Sequence, residues 1–153
     1  MATLVEDLER SVREGILWTP LEGKRIRCVA CGHRCPIPEG QPGVCKVRFN
    51  SGGQLRVPFG YVAGLACDPV EKKPFFHVLP GTSALSLAAP GCNMECKFCQ
   101  NWEIAQVRPE QVKTYEITPQ EIAELALQRR SPTIACTYTE PVVWSEYVYD
   151  IAV

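Results

Sequence analysis

The chain has 153 residues, 46% of them hydrophobic and 22% charged, with sixteen Lys and Arg against seventeen Asp and Glu for a net charge of −1. That composition excludes a disordered or fibrous chain, and a domain of this size buries roughly 70% of its unfolded surface, so it needs no disulfides to have a core. Neither sign of charge runs in blocks, which leaves no electrostatic footprint for nucleic acid or a membrane surface.

The amino terminus carries Glu6, Asp7, Glu9 and Glu14 where a secretory leader would be basic and then apolar. Apolar stretches such as 84–90 fall far short of the ~20 residues of a membrane span. The expected location is therefore the cytoplasm. Leu4, Leu8, Val12 and Ile16 recur every four residues, which predicts an amphipathic helix over residues 2–13, with Gly15 marking its end. From Lys24 to Gly60 the chain is rich in cysteine, proline and glycine, the composition of a small unit organised by a metal. Within it, residues 44–49 and 55–61, joined by Asn50-Ser51-Gly52-Gly53, predict a β-hairpin.

Residues 68–80 read as a polar connector. Residues 83–89 form a short apolar run, as in a strand buried on both faces of a parallel sheet, ending at Pro90-Gly91. Thr118-Pro119-Gln120-Glu121 predicts a helix start with a capping box, stapled by Ile117 and Ile122. Ile122, Leu125, Ala126 and the stem of Arg129 share its apolar face, and Pro132 marks its end. Residues 133–139 predict the next strand and Val142 onward another helix. This is the grammar of a parallel α/β fold, but two strands are too few for a sheet covered on both faces. The expectation is that the chain is the amino-terminal part of a longer protein.

Nine cysteines without a leader point to metal binding or catalysis rather than disulfides. Cys92, Cys96 and Cys99 put three thiolates within eight residues on a loop leaving the carboxyl end of a predicted strand, where α/β folds bind ligands. Four thiolates would close a tetrahedral zinc or a four-iron cluster, whereas three leave one position open. Cys28, Cys31, Cys35 and Cys45 supply a set of four, enough for a structural zinc, an accessory iron–sulfur centre, or disulfides or free thiols; His33 could replace one of them or stand exposed. Cys67 and Cys136 have no partner and read as ordinary small residues. Glu71, Lys72 and Lys73 read either as groups facing a ligand or as a charged connector, and are not assigned to a site. Trp102 reads as a cover over the cysteine loop or as a core residue.

GCNMECKFCQNW, residues 91–102, resembles the cluster loop of radical S-adenosylmethionine (SAM) enzymes, with Phe98 just before the third cysteine. DPVEKKPFFHVLPG at 68–81, TYTEPVVWSEY at 137–147 and the upstream cysteines resemble the AmmeMemoRadiSam-system radical SAM enzymes, relatives of the pyruvate formate-lyase activating enzymes. The likeness runs from Leu21 to Ala152, while those enzymes continue through further βα units. It implies a truncated, partial (β/α) barrel of radical SAM type over 83–153, preceded by a helix and cysteine-rich metal-binding unit over 1–67 and a connector over 68–82. It implies that Cys92, Cys96 and Cys99 hold a [4Fe-4S] cluster whose fourth iron takes the amino and carboxylate groups of SAM. An electron donor then drives cleavage of SAM to methionine and a 5′-deoxyadenosyl radical, which abstracts hydrogen from a substrate, a partner protein being one candidate. Glu140, at the end of the second predicted strand in Thr-Tyr-Thr-Glu-Pro, matches the position that contacts the SAM amino group. The competing expectation is non-enzymatic: a zinc-binding interaction module with two cysteine sites. An electron carrier is a weaker alternative, because a carrier normally closes all four cluster positions.

Overall fold

The computed structural model describes residues 11–153. Most of the helix expected over 2–13 lies outside the described residues. Its last residues, Val12 and Arg13, belong instead to strand β1 (Val12–Glu14). The amphipathic period is overridden there by pairing: Val12 stands opposite Pro58 and Arg13 opposite Val57.

The amino-terminal half is built from two small antiparallel sheets. β2 (Trp18–Pro20), β3 (Ile26–Cys28) and β4 (Pro36–Ile37) form one, in that order. β5 (Phe49–Ser51) and β6 (Gln54–Pro58) join β1 in the other, ordered β1-β6-β5. The predicted hairpin is present, but its first arm is displaced: β5 begins at Phe49, the last residue of the expected arm 44–49, and takes in Asn50 and Ser51, which pair with Leu55 and Gln54 instead of turning the chain. Gly52 and Gly53 turn it with φ of 67° and 82°, the left-handed geometry that two-residue hairpin loops demand. Ile26, Ile37, Leu55 and Val57 are wholly buried between the two sheets, with Cys28 beside them.

β7 (Tyr61–Val62) leads into β8 (Gly64–Pro69), which pairs antiparallel with β9 (Ser83–Ala88) along its whole length. Thus β8 crosses the boundary expected at residue 67 and contributes to the same sheet as β9. Beyond β9 come a single helical turn, α1 (Trp102–Ala105), and β10 (Tyr115–Glu116), which pairs with β7. α2 (Pro119–Gln128) starts as predicted: Thr118 Oγ1 accepts from the Glu121 amide and the Glu121 carboxylate accepts from the Thr118 amide. It ends four residues before Pro132, in a Schellman motif. Arg130 takes φ of 53°, its amide donates to Leu127 O, and the Ser131 amide donates to Ala126 O.

β11 (Thr133–Cys136) pairs parallel with β9, giving the sheet order β11-β9-β8. β9 is buried on both faces as expected, but β11 is only half-buried, because it is an edge strand. A 3-10 turn over 141–144 leads into α3 (Ser145–Ala152). α2, the 3-10 turn and α3 cover β9, burying Ile122, Trp144 and Tyr147 against Leu85 and Leu87. The fold is thus mixed α/β: one parallel strand pair with its helical crossover, extended by small antiparallel sheets. No closed barrel exists among the described residues, since the sheet that would begin one has three strands. Among them no helix is long and apolar enough to cross a membrane.

The two halves are joined by a buried ion pair. Arg48 Nη1 and Nη2 each donate to a different oxygen of Glu146 at 2.7 Å, with side chains 2% and 1% exposed. Burial pushes the Glu146 carboxyl up, but the Arg48 guanidinium outweighs it and holds it below its ordinary value. Removing one partner strands the other in a dry site, so Arg48→Met and Glu146→Gln should each cost about 3–5 kcal/mol in urea unfolding. The double variant Arg48→Met/Glu146→Leu should recover much of that loss. Single variants within experimental error of wild type would show that the pair does not join the halves.

Candidate functional site

β9 delivers the chain into the loop 91–101 through Gly91. Its φ is 87°, and a Cβ there would stand 2.5 Å from Val47 Cγ1 and 2.7 Å from Cys45 O. The loop therefore starts pressed against the segment that carries Cys45, at a position only glycine fits. Four further contacts hold it. The Gly91 amide donates to Ile104 O at 2.8 Å, His33 Nε2 meets Asn93 O at 2.8 Å, Lys46 Nζ donates to Gln106 O at 2.8 Å, and Gln106 donates to Met94 O. At the far end Asn101 Nδ2 donates to Tyr138 O at 2.9 Å, and Thr139 Oγ1 donates to Ala89 O at 2.8 Å, tying the end of β11 to the end of β9.

Cys92 and Cys99 are half-buried and Cys96 is exposed, with a turn closed by the Cys99 amide on Cys96 O at 3.1 Å. Around them Met94, Phe98 and Trp102 are exposed, so Trp102 is not a core residue. Gln100 and Asn101, next along the loop, line a cavity of ≈ 960 Å³ together with Tyr138, Asp68 and Lys73. That volume is at the upper end of sites for small molecules and cofactors.

The upstream cysteines lie elsewhere. Cys28, Cys31, Cys35 and Cys45 line one narrow cavity of ≈ 10 Å³, with His33 and Asn93 also on its wall. Cys45 sits in a tight knuckle: the Gly43 amide donates to Arg48 O at 2.8 Å, the Lys46 amide to Gly43 O at 2.9 Å, and Lys46 takes φ of 69°. Burial pushes the Cys45 thiol up, while the amides of Val47 and Arg48, which donate to it, pull it down without overcoming burial. All nine cysteines are free thiols. Among the described residues no three Cys, His, Asp or Glu side chains converge closely enough to grip an ion as they stand. So the fold brings the four upstream cysteines to one cavity and keeps the later three on one loop, as two separate sets. Cys136 is half-buried on β11, its thiol pushed up to about 11 by burial, and Cys67 is exposed on β8.

Glu140 is half-buried at the start of the 3-10 turn, where its Oε1 accepts from the Val142 amide at 3.4 Å; the neighbouring residues 137–139 line the large cavity and Glu140 does not. Asp68 is the functional candidate that the sequence reading passed over. It is buried at the end of β8 and receives four hydrogen bonds: Lys72 Nζ at 2.8 Å on Oδ1, and Lys73 Nζ at 2.8 Å, Tyr138 OH at 2.7 Å and Ser86 Oγ at 3.0 Å on Oδ2. The Lys72 and Lys73 ammonium groups and the Tyr138 hydroxyl hold its carboxyl well below the usual range. The spacing of Asp68 and Lys72, four residues apart, was the available signal, but a run of charges beside prolines reads equally as a connector.

Residues 87–153 match the family model of the Radical SAM superfamily. The matched segment begins in β9 and holds the three-cysteine loop. The chain is also 45% identical over 143 residues to an uncharacterized protein of Methanocaldococcus jannaschii, a match that covers 93% of this chain and 43% of that protein. The chain thus spans less than half the length of the curated relative it matches. No solved structure matches it.

Two consequences of this geometry can be measured. Gly91→Ala should lower the melting temperature and distort the cysteine loop, whereas Gly64→Ala, whose added Cβ would meet Ala88 Cβ at an ordinary 3.8 Å, should do neither. Similar melting and loop NMR shifts for both variants would remove Gly91 from this role. Because the folded Asp68 carboxyl is depressed, its contribution to stability is complete above the unfolded value near 4 and fades as pH falls towards the folded one. The stability advantage of wild type over Asp68→Asn should therefore shrink on acidification from pH 6 through the range below about 4 in denaturant titrations. An advantage independent of pH would contradict the ion-paired state.

Proposed function

We propose that the chain is the cluster-bearing part of a radical SAM enzyme of the AmmeMemoRadiSam kind, akin to the pyruvate formate-lyase activating enzymes, acting in the cytoplasm. The reading is supported above all by the family match over 87–153 falling on a loop with three thiols, at the carboxyl end of β9 and beside a cavity of ≈ 960 Å³. The donor set fits the group. Three cysteines on one loop, two of them half-buried and one exposed, can supply three sulfur ligands and leave one iron for a further ligand. When bound, the cluster and SAM supply a 5′-deoxyadenosyl radical that takes a hydrogen atom from the substrate, using one electron from an external donor.

The chain's own residues do the rest. Cys92, Cys96 and Cys99 hold the irons; Gly91, Asn93 and Asn101 fix the loop that carries them. Glu140 accepts a charge-assisted hydrogen bond from the ammonium of SAM, using acceptor capacity that its single contact with the Val142 amide leaves open. The kinship supports a partner protein as substrate. Cys28, Cys31, Cys35 and Cys45 hold a structural zinc in residues 1–67, a role supported by their single shared cavity and by the two amides aimed at the Cys45 sulfur. Residues 68–82 connect this unit to the start of a (β/α) barrel over 83–153.

Anaerobic reconstitution followed by iron, sulfide and zinc analysis tests the reading. The expected result is about four irons and four sulfides with one zinc per chain. Serine at Cys92, Cys96 or Cys99 should abolish the iron and spare the zinc, and serine at Cys28 or Cys45 should release the zinc. A second zinc in place of iron would favour the interaction module instead. Glu140→Gln should keep the iron and weaken SAM about ten- to a hundredfold, the worth of one charge-assisted hydrogen bond; equal affinity would remove Glu140 from the site.

A further inference from the structure

The large cavity contains a charge arrangement that neither thiol set explains. Its charged lining consists of two ammonium groups, Lys72 and Lys73, against one carboxylate, Asp68; the remaining lining residues carry no formal charge. Asp68 already accepts four hydrogen bonds, three on Oδ2 and one on Oδ1, so little of its acceptor capacity remains for a ligand. Lys73 differs from Lys72 in burial: its side chain is 12% exposed, against 66%. An ammonium has three N–H groups, and Lys73 donates one to Asp68, while its Nζ stands 4.7 Å from the centre of the Tyr138 ring. A cation so far withdrawn from water, with donor capacity unspent and a net positive wall around it, is complementary to an anion. Asp68 serves as its anchor, fixing the ammonium at the cavity wall.

We propose that Lys73, held by Asp68 and Tyr138, is the anchor of a carboxylate-binding subsite in this cavity. Gln100 and Asn101, which follow directly on Cys99, line the same cavity, and Asn101 donates to the carbonyl of Tyr138, the residue whose ring Lys73 faces, so the subsite and the cysteine loop open onto one space. The carboxylate belongs either to SAM or to the substrate. Naming these two sources rests on the radical SAM reading; the subsite itself does not.

The test has two arms. In the first, the iron-free chain is titrated with acetate, against chloride at equal ionic strength, and followed by NMR. Saturable shifts at the amides of Ala135 and Tyr138 are expected with acetate alone. Lys73→Gln should weaken this binding about tenfold, and Lys73→Arg should retain most of it. Acetate and chloride giving the same response in wild type would overturn the proposal, as would undiminished acetate binding in Lys73→Gln. Because no iron is present, failure here leaves the cluster assignment standing. In the second arm the reconstituted chain is titrated with SAM and with decarboxylated SAM. A loss in Lys73→Gln confined to SAM assigns the subsite to the SAM carboxylate, and unchanged affinity for both assigns it to the substrate. An equal loss for both would contradict recognition through a carboxylate.

Discussion

A guanidinium and a carboxylate, each almost wholly out of water, fix where the two halves of this molecule meet. Glu146 belongs to α3, and Arg48 follows Cys45 by three residues. The same carboxylate accepts from the Ile16 amide at 3.2 Å, and Gly15 lies so close that a Cβ would meet Glu146 Oε1 at 3.2 Å and Val57 Cγ1 at 2.5 Å. Stripping water from two charges is costly, and only a two-point geometry with further hydrogen bonds offsets it. An alternative packing that separated the two charges would leave each unpaired in an apolar site, at a cost of several kcal/mol.

From Arg48 the constraint passes outward through short backbone distances. The Arg48 carbonyl closes the Cys45 knuckle, the knuckle seats Gly91, and Gly91 sets where the cysteine loop leaves β9. His33 binds the loop directly at Asn93, and Lys46 binds Gln106, which in turn reaches back to Met94 in the loop, so both tie it to the same amino-terminal unit. The upstream cysteines and the later three are therefore mechanically connected although they form separate sets. A metal that stiffened the first set would stiffen the support of the second.

Legibility in the sequence followed how local each determinant was. The capping box of α2, the buried run of β9, the Gly-Gly hairpin and the division of cysteines into a four and a three are carried by neighbouring residues, and each was readable. β8 was not, because only Asp68 on it is buried and it has no apolar pattern; it exists by pairing with β9. The end of α2 misled for a related reason. Arginine at a left-handed position does the work that glycine usually announces, so Pro132 looked like the terminator. Arg48–Glu146 and Asp68–Tyr138 join residues 98 and 70 positions apart, beyond the reach of any spacing rule.

The functional claim comes down to whether three thiols on that loop hold a cluster with one iron open to SAM. The most direct measurement is the EPR spectrum of the anaerobically reconstituted, reduced chain before and after SAM is added. The account predicts that the spectrum of one cluster changes on adding SAM, and changes the same way when the upstream set carries zinc. A fully loaded cluster whose spectrum is indifferent to SAM would contradict it.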